Sequence, residues 1–419
     1  MSERAATIKA QLGRQVAHWI TATARLENPD DIASEAAWSY LEQYLGVTIR
    51  ARLAETVGRL RRQAAVLKAS FDAARSPVEL EEVRRRLLDY RHRYLRTETT
   101  LDFFADAINT RTSPGIRAYL RACDSLGHRS MAMVLDQLSK PVPVVLTYID
   151  KGLGASILKA DLRLWDGTVN PAAAIKITRH NLHRPTSLIH ETGHQMAHIA
   201  GWNDELASAL NKGLESGSPQ IAMMWAGWAS EIAADAHAFV HTGYAAVATL
   251  HDVLAGDEPQ VFRLIPGDPH PVGYLRVLLG VEMCRQFYGS GPWDDLALMW
   301  VQQHPLESAG HRGEELIRQS LPLLPRVVEI TLRQPMKAFG SRPLSALVNP
   351  ARVSPEALRA LGLQLGAAMY TSTHWVWHES LRTLAYTGLR LATEPERELE
   401  ILQQQESWMF RLGDMVQAA

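Results

Sequence analysis

The chain is poor in several features that would assign a protein to a class at sight. Only two of its 419 residues are cysteine, Cys123 and Cys284, too few and too far apart for a disulfide framework or a thiolate zinc site. A reducing, cytoplasmic setting is expected from that scarcity. The longest stretch free of Asp, Glu, Lys and Arg, residues 360–378, is broken by Gln, Ser, Thr, His and Gly, which argues against a transmembrane helix. The first residues carry no apolar stretch of the secretory kind. Neither sign of charge dominates, with 44 basic against 45 acidic residues, so no global field draws the chain to nucleic acid or a membrane surface. Aromatic residues make up 7%, and the eleven tryptophans are scattered as core and cleft residues are, with no stacking platform among them. Internal repeats and low-complexity segments are also missing.

What is present is enough apolar residue, 46%, for two or three domains with sizeable cores. Residues 1–138 read as a helical domain: apolar side chains recur three and four apart, as in Leu53, Val57, Leu60, Ala64 and Leu67. Ser76-Pro77-Val78-Glu79 has the form of a helix start, with Ser as cap and Glu placed for a capping box. The helix after it carries Arg84, Arg85, Arg86, Arg91, Arg93 and Arg96. These form either a docking face or, as intrahelical pairs with Glu81, Glu82 and Asp89 suggest, a solvated one. Near Pro141 the texture changes. Three β-like runs follow at 144–149, 155–165 and 173–178, separated by Gly, Asp, Asn and Pro. The last run is the expected cleft edge, where an extended substrate pairs with the sheet. Helical patterning resumes after residue 218 and continues, with Pro-rich breaks at 321–325, to the C-terminus. The expected fold is α+β and mostly α: a core at 139–300 with a small sheet, flanked by helical regions at 1–138 and 301–419.

Between the strands and the later helices lies His190-Glu191-Thr192-Gly193-His194. On a helix, histidines four apart project from one face and reach one metal ion, with the glutamate beside it as a base for metal-activated water. The flanking residues read as one buried amphipathic helix. Gly193 there costs helix propensity of about 1 kcal/mol, which makes sense if another element packs close. A third ligand is needed. The metzincin histidine, ten residues after the first, is replaced by Ala200. His198 continues the row, but three ligands on one straight helix cannot converge tetrahedrally. Glu231 and Asp235 share one face of a later, Ala-rich helix. Glu231 is suited to bind the metal, and Asp235 to accept the free ring N–H of a ligand histidine. A surface ion pair is the alternative for Asp235. His180 and His183, before the motif, are candidates to line the cleft. The pairs His237/His241 and His374/His378 have the same spacing but are read as ordinary helix residues.

H-E-x-x-H followed by Glu231-Ile232-Ala233-Ala234-Asp235 resembles the gluzincin peptidases. The E-x-x-A-D form is most similar to the CAAX-processing and heat-shock-type zinc endopeptidases. Asp268-Pro269-His270-Pro271 with Arg276 also resembles their downstream T-H-P segment and arginine. The resemblance covers about residues 173–285 and departs from those families in having no membrane span. It implies one zinc ion held by His190, His194 and Glu231, with Glu191 as general base. His270 and Arg276 are then candidates to bind substrate or to stabilise the oxyanion. Tyr274 is a second oxyanion donor candidate, since phenolic hydroxyls serve this purpose.

The expected function is therefore zinc-dependent hydrolysis of a peptide or protein substrate. The exopeptidase signature G-x-M-E-N is absent, which favours an endopeptidase or a narrow specificity. Two other readings stay open: an inactive partner-binding scaffold, and a metal-dependent hydrolase of a non-peptide amide or ester. Nucleic-acid binding by the arginine-bearing helix is a weaker third.

Overall fold

In the computed structural model the described residues are 3–46, 48–151, 155–160, 170, 172–182, 185–215 and 217–418. They form an α+β fold that is mostly α, with one three-stranded sheet. No helix is long and apolar enough to cross a membrane. The chain divides into two compact units, Met1–Pro114 with Ala160–Ala174, and Gly115–Lys159 with Ile175–Ala419.

The first unit contains α1 (Glu3–Arg25), α2 (Glu35–Leu45), α3 (Ile49–Ala73) and α4 (Pro77–Asn109). Helices α1, α3 and α4 pack on one another through Leu12, Val16, Leu60, Leu67, Val83 and Leu87. The α4 start is a capping box: Glu79 N donates to Ser76 Oγ (3.3 Å) and Ser76 N to the Glu79 carboxylate (2.8 Å). Each side chain satisfies a backbone N–H that the helix leaves without an acceptor. Arg84, Arg85 and Arg86 pair with Glu81 and Glu82 on the same helix, and Arg91 rests over the Trp19 ring.

The second unit begins with α5 (Pro114–Leu135). The sheet consists of β1 (Val145–Asp150), β2 (Ser156–Leu158) and β3 (Ala173–Thr178), in the order β1-β3-β2. That order corrects one expectation. Ala173–Thr178 is the central strand, with a neighbour on each side, and among the described strands β2 is the outer one beside the motif helix. The reason is visible in burial: β3 is buried at five of its six positions, as a strand covered on both faces must be. Residues 161–165 of the second β-like run lie outside the described residues.

After the sheet come α6 (Thr186–Ala200), α7 (Trp202–Leu214), α8 (Pro219–Gly227), α9 (Ala229–Thr242), α10 (Tyr244–Leu254), α11 (Glu258–Val261) and α12 (Gly273–Tyr288). Helix α6 stops where Gly201, at φ 75°, takes the left-handed turn that closes its last carbonyls. Helix α9 lies in the interior, packed by α6, α7, α10 and the later helix Ser380–Thr393.

Interior placement gives α9 two buried histidines, His237 and His241, whose rings meet edge to face at 4.5 Å. Burial pushes His241 down to about 3 from an ordinary 6.5, although a hydrogen bond to the Ser130 backbone pulls the other way. The unfolded chain takes this proton near pH 6.5 and the folded chain only near pH 3, so stability is full above pH 6.5 and falls as acid is added. His241→Gln is expected to remove a slope of up to about 1.4 kcal/mol per pH unit in that window. Urea melts of both proteins, run at steps of about one pH unit from roughly 4 to roughly 7, measure it. An unchanged slope would show that His241 is protonated in the native state.

Candidate metal centre

The centre exists because α6 and α9 approach more closely than side chains normally allow. A Cβ at Gly193 would stand 2.8 Å from Ala234 Cα and 2.9 Å from His237 Cβ. The helices run antiparallel: the earlier His190 meets the later Asp235, and the later His194 meets the earlier Ser230. From the other side, α5 packs on α6, where the Ser130 and Thr192 hydroxyls share a buried hydrogen bond of 2.8 Å.

Across this contact His190, His194 and Glu231 place one ligand atom each within 4.8 Å of one another, the sole such group of three among the described residues. His190 Nε2 lies 3.5 Å from one Glu231 oxygen and His194 Nε2 3.2 Å from the other. The opposite ring nitrogens are held: His190 Nδ1 by Asp235 Oδ1 at 2.9 Å, and His194 Nδ1 by Ser230 Oγ at 3.2 Å. Both rings thus turn Nε2 towards Glu231 and tie Nδ1 to a partner, the arrangement by which outer groups fix a ligand histidine. Two imidazoles and a carboxylate suit zinc among the divalent ions.

Arg276 comes in from α12 and closes the charge balance. It donates to Asp235 through Nε (2.6 Å) and Nη2 (2.8 Å), and its Nη2 is 3.0 Å from Glu231. Burial alone would raise the Glu231 carboxyl, but Arg276 and the two histidines outweigh it and hold that group far below the usual carboxylate range. Asp235 is lowered in the same way, burial being overcome chiefly by Arg276. Burial lowers His190, but hydrogen bonds to Asp235 and Glu231 prevail and lift it to about 10.

The cluster opens into a cavity of about 840 Å³. Glu191 lines it, is only 7% exposed, and forms no hydrogen bond or ion pair with any other described residue. Its carboxylate lies within electrostatic reach of Lys159 and Arg276. His270 also lines the cavity, 60% exposed at the side chain, with Nε2 at 3.5 Å from Glu231 and Nδ1 held by Asp268 at 2.6 Å. Ser156, Ile157 and Lys159 supply the wall at the β2 edge. The opposite wall is apolar, from Phe239, Val247, Leu250, Leu254, Leu279 and Met283.

Seven of the eight residues singled out in the sequence therefore meet at one place: His190, Glu191, His194, Glu231, Asp235, His270 and Arg276. Arg276 is committed to Asp235 and Glu231, so its main task here is to keep two buried carboxylates ionised. Tyr274 is not at the cavity. It is 1% exposed, stacked on Phe262 at 5.4 Å with Trp300 nearby, because it lies two residues before Arg276, a turn of about 200° around the helix. His198 is exposed, and His183 and the side chain of His180 lie outside the described residues. Three contributors were not foreseen. Ser230 could have been suspected as a hydroxyl beside the candidate carboxylate, and Asp268 from its place two residues before His270. Lys159 carries no local signal; burial lowers its ammonium, against the pull of Glu231 and Glu191.

No protein-family model, curated protein or solved structure matches this chain.

Gly193→Ala puts the dependence on close approach to a measurement. Alanine improves helix propensity by about 1 kcal/mol, but here its Cβ meets the backbone of Ala234. Overpacking of about 1–3 kcal/mol is expected to win, giving a lower Tm. A higher Tm would mean that the two helices are not pinned at this point.

Proposed function

We propose that this protein is a zinc-dependent metallopeptidase. The observation that carries the reading is the convergence of His190 Nε2, His194 Nε2 and the Glu231 carboxylate beside Glu191 in a cavity. His190, His194 and Glu231 would hold the ion, and the donor set fits it: both Nδ1 atoms are already engaged and both Nε2 atoms face the carboxylate. Zinc bound there would supply Lewis-acid polarisation of the scissile carbonyl and of a water molecule.

The remaining chemistry falls to side chains of this chain. The Glu191 carboxylate takes a proton from the attacking water and passes it to the leaving amine. His270, oriented by Asp268, presents Nε2 towards the cluster, where a donor offsets charge developing on the carbonyl oxygen. Lys159 adds a cation on the β2 side of the same cavity. The apolar wall is suited to accept a bulky side chain of a peptide substrate. The expected cytoplasmic location belongs to the same proposal.

One observation favours an inactive scaffold with a vestigial site instead: Arg276 already pairs with both Glu231 and Asp235. Metal analysis of the purified protein separates the two. One zinc per chain is expected in the wild type and close to none in His194→Ala. Glu191→Gln should keep its zinc and lose peptide hydrolysis by about 10²-fold or more. Full peptidase activity in that variant would remove Glu191 from the mechanism. A zinc-loaded wild type that cleaves amides other than peptides would move the substrate class and leave the site.

A further inference from the structure

Three cations line the cavity that holds the metal cluster: Arg276, Arg263 and Lys159. Two of them have an evident place within the chain. Arg276 is committed to Asp235 and Glu231, and Arg263, 65% exposed at its side chain, stands 3.9 Å from Asp268. Lys159 differs from both. It follows β2 directly, is half-buried, and lines the cavity beside Ser156 and Ile157. Lysine is rarely placed where its ammonium loses water, because so compact and strongly hydrated a charge gives up solvation at high cost. Burial accordingly lowers this ammonium, and the charges of Glu231 and Glu191 are what pull against it.

That support weakens as the site is put to work. Glu231 already shares its charge with Arg276 at 3.0 Å and with two imidazoles at 3.2 and 3.5 Å. If it also holds zinc as proposed, little of its charge is left for Lys159. Glu191 becomes neutral when it takes the proton of the attacking water. Among the described residues the other carboxylates of this wall are Asp235, held by Arg276 at 2.6 Å, and Asp268, held by His270 at 2.6 Å. The countercharge for a half-buried ammonium at that stage has to come with the substrate.

We propose that Lys159 receives a carboxylate of the substrate, and that the substrates are peptides carrying such a group near the scissile bond, at a free C-terminus or on an acidic side chain. The proposal rests on the peptidase reading and adds a substrate class to it. An ammonium has three donor hydrogens, so a contact within the chain leaves others for a ligand. The apolar wall complements this charge. Ala246, Leu250 and Leu254, four residues apart along α10, are partly exposed and line the same cavity. A peptide is thus held at two points, by its charge next to β2 and by an apolar side chain at α10.

The test is calorimetric titration of the zinc-loaded full chain with acetylated tetrapeptides of alanine and phenylalanine that differ only in ending as acid or amide. Glu191→Gln serves as the background, so that binding is read without turnover. The acid is expected to bind about tenfold more tightly or better, the size of one charge-assisted hydrogen bond. An amidated peptide ending in aspartate separates the two sources. Affinity like that of the acid assigns an acidic side chain, and affinity like that of the amide assigns the chain end. Adding Lys159→Met should bring the acid down to the affinity of the amide and leave the amide unchanged, while Lys159→Arg keeps the difference. Equal affinity of acid and amide before that substitution, or a difference that survives Lys159→Met, would overturn the proposal and leave the peptidase reading standing. A loss of affinity common to acid and amide in Lys159→Met would also overturn it, since the ammonium would then serve the scissile carbonyl. Failure of all three peptides to bind overturns it as well, and cleavage of a mixed peptide library by the wild type then decides the peptidase reading separately.

Discussion

Everything at the candidate centre depends on the contact between α6 and α9 at Gly193 and Ala234. Helices with ordinary side chains at their contact stand roughly 8–10 Å apart, axis to axis, and each methyl group adds to that. With glycine facing the alanine backbone, imidazoles on one helix reach carboxylates on the other without long linkers. Short, stiff side chains then set the geometry: His190 to Asp235, His194 to Ser230, both to Glu231. The bond between Thr192 and Ser130 holds α6 from its other face, so the motif helix is fixed on two sides.

Close packing alone would not suffice, because it buries charge. Glu191, Glu231 and Asp235 are three carboxylates in one small volume, and an unpaired charge shielded from water is costly. Arg276 resolves this unequally. It takes Asp235 and Glu231 into a buried network, while Glu191, outside that network, lines the cavity. Removing one partner of such a network costs about 3–5 kcal/mol, since the other charge stays buried. The same arginine therefore stabilises the fold and keeps Asp235 and Glu231 ionised beside the two histidines.

How much of this was legible in the sequence differs from residue to residue. Spacing of four along a helix put His190 with His194 and Glu231 with Asp235, because the helix period is a local property. The capping box at Ser76 and Glu79 and the ion pairs of Arg84 and Arg86 with Glu81 and Glu82 were readable for the same reason. Tyr274 was misplaced because its chemistry suits an oxyanion, while its direction depends on which side of α12 meets Phe262 and Trp300. The edge strand was misassigned because strand order is a matter of pairing between distant segments, and three short β-like runs do not specify it.

The amino-acid order by itself determined the mostly helical architecture, the two helix faces that carry the candidate ligand residues, and the place of Glu191 between the histidines. These follow from periodicities of the backbone and need no partner. Only the tertiary structure decided that the two faces oppose each other antiparallel, that Arg276 is spent on Asp235 and Glu231, and that Lys159 joins the cavity. Lys159 meets Leu250 of α10 at one cavity because β2 and α10 both pack on α6, through contacts that no local pattern encodes.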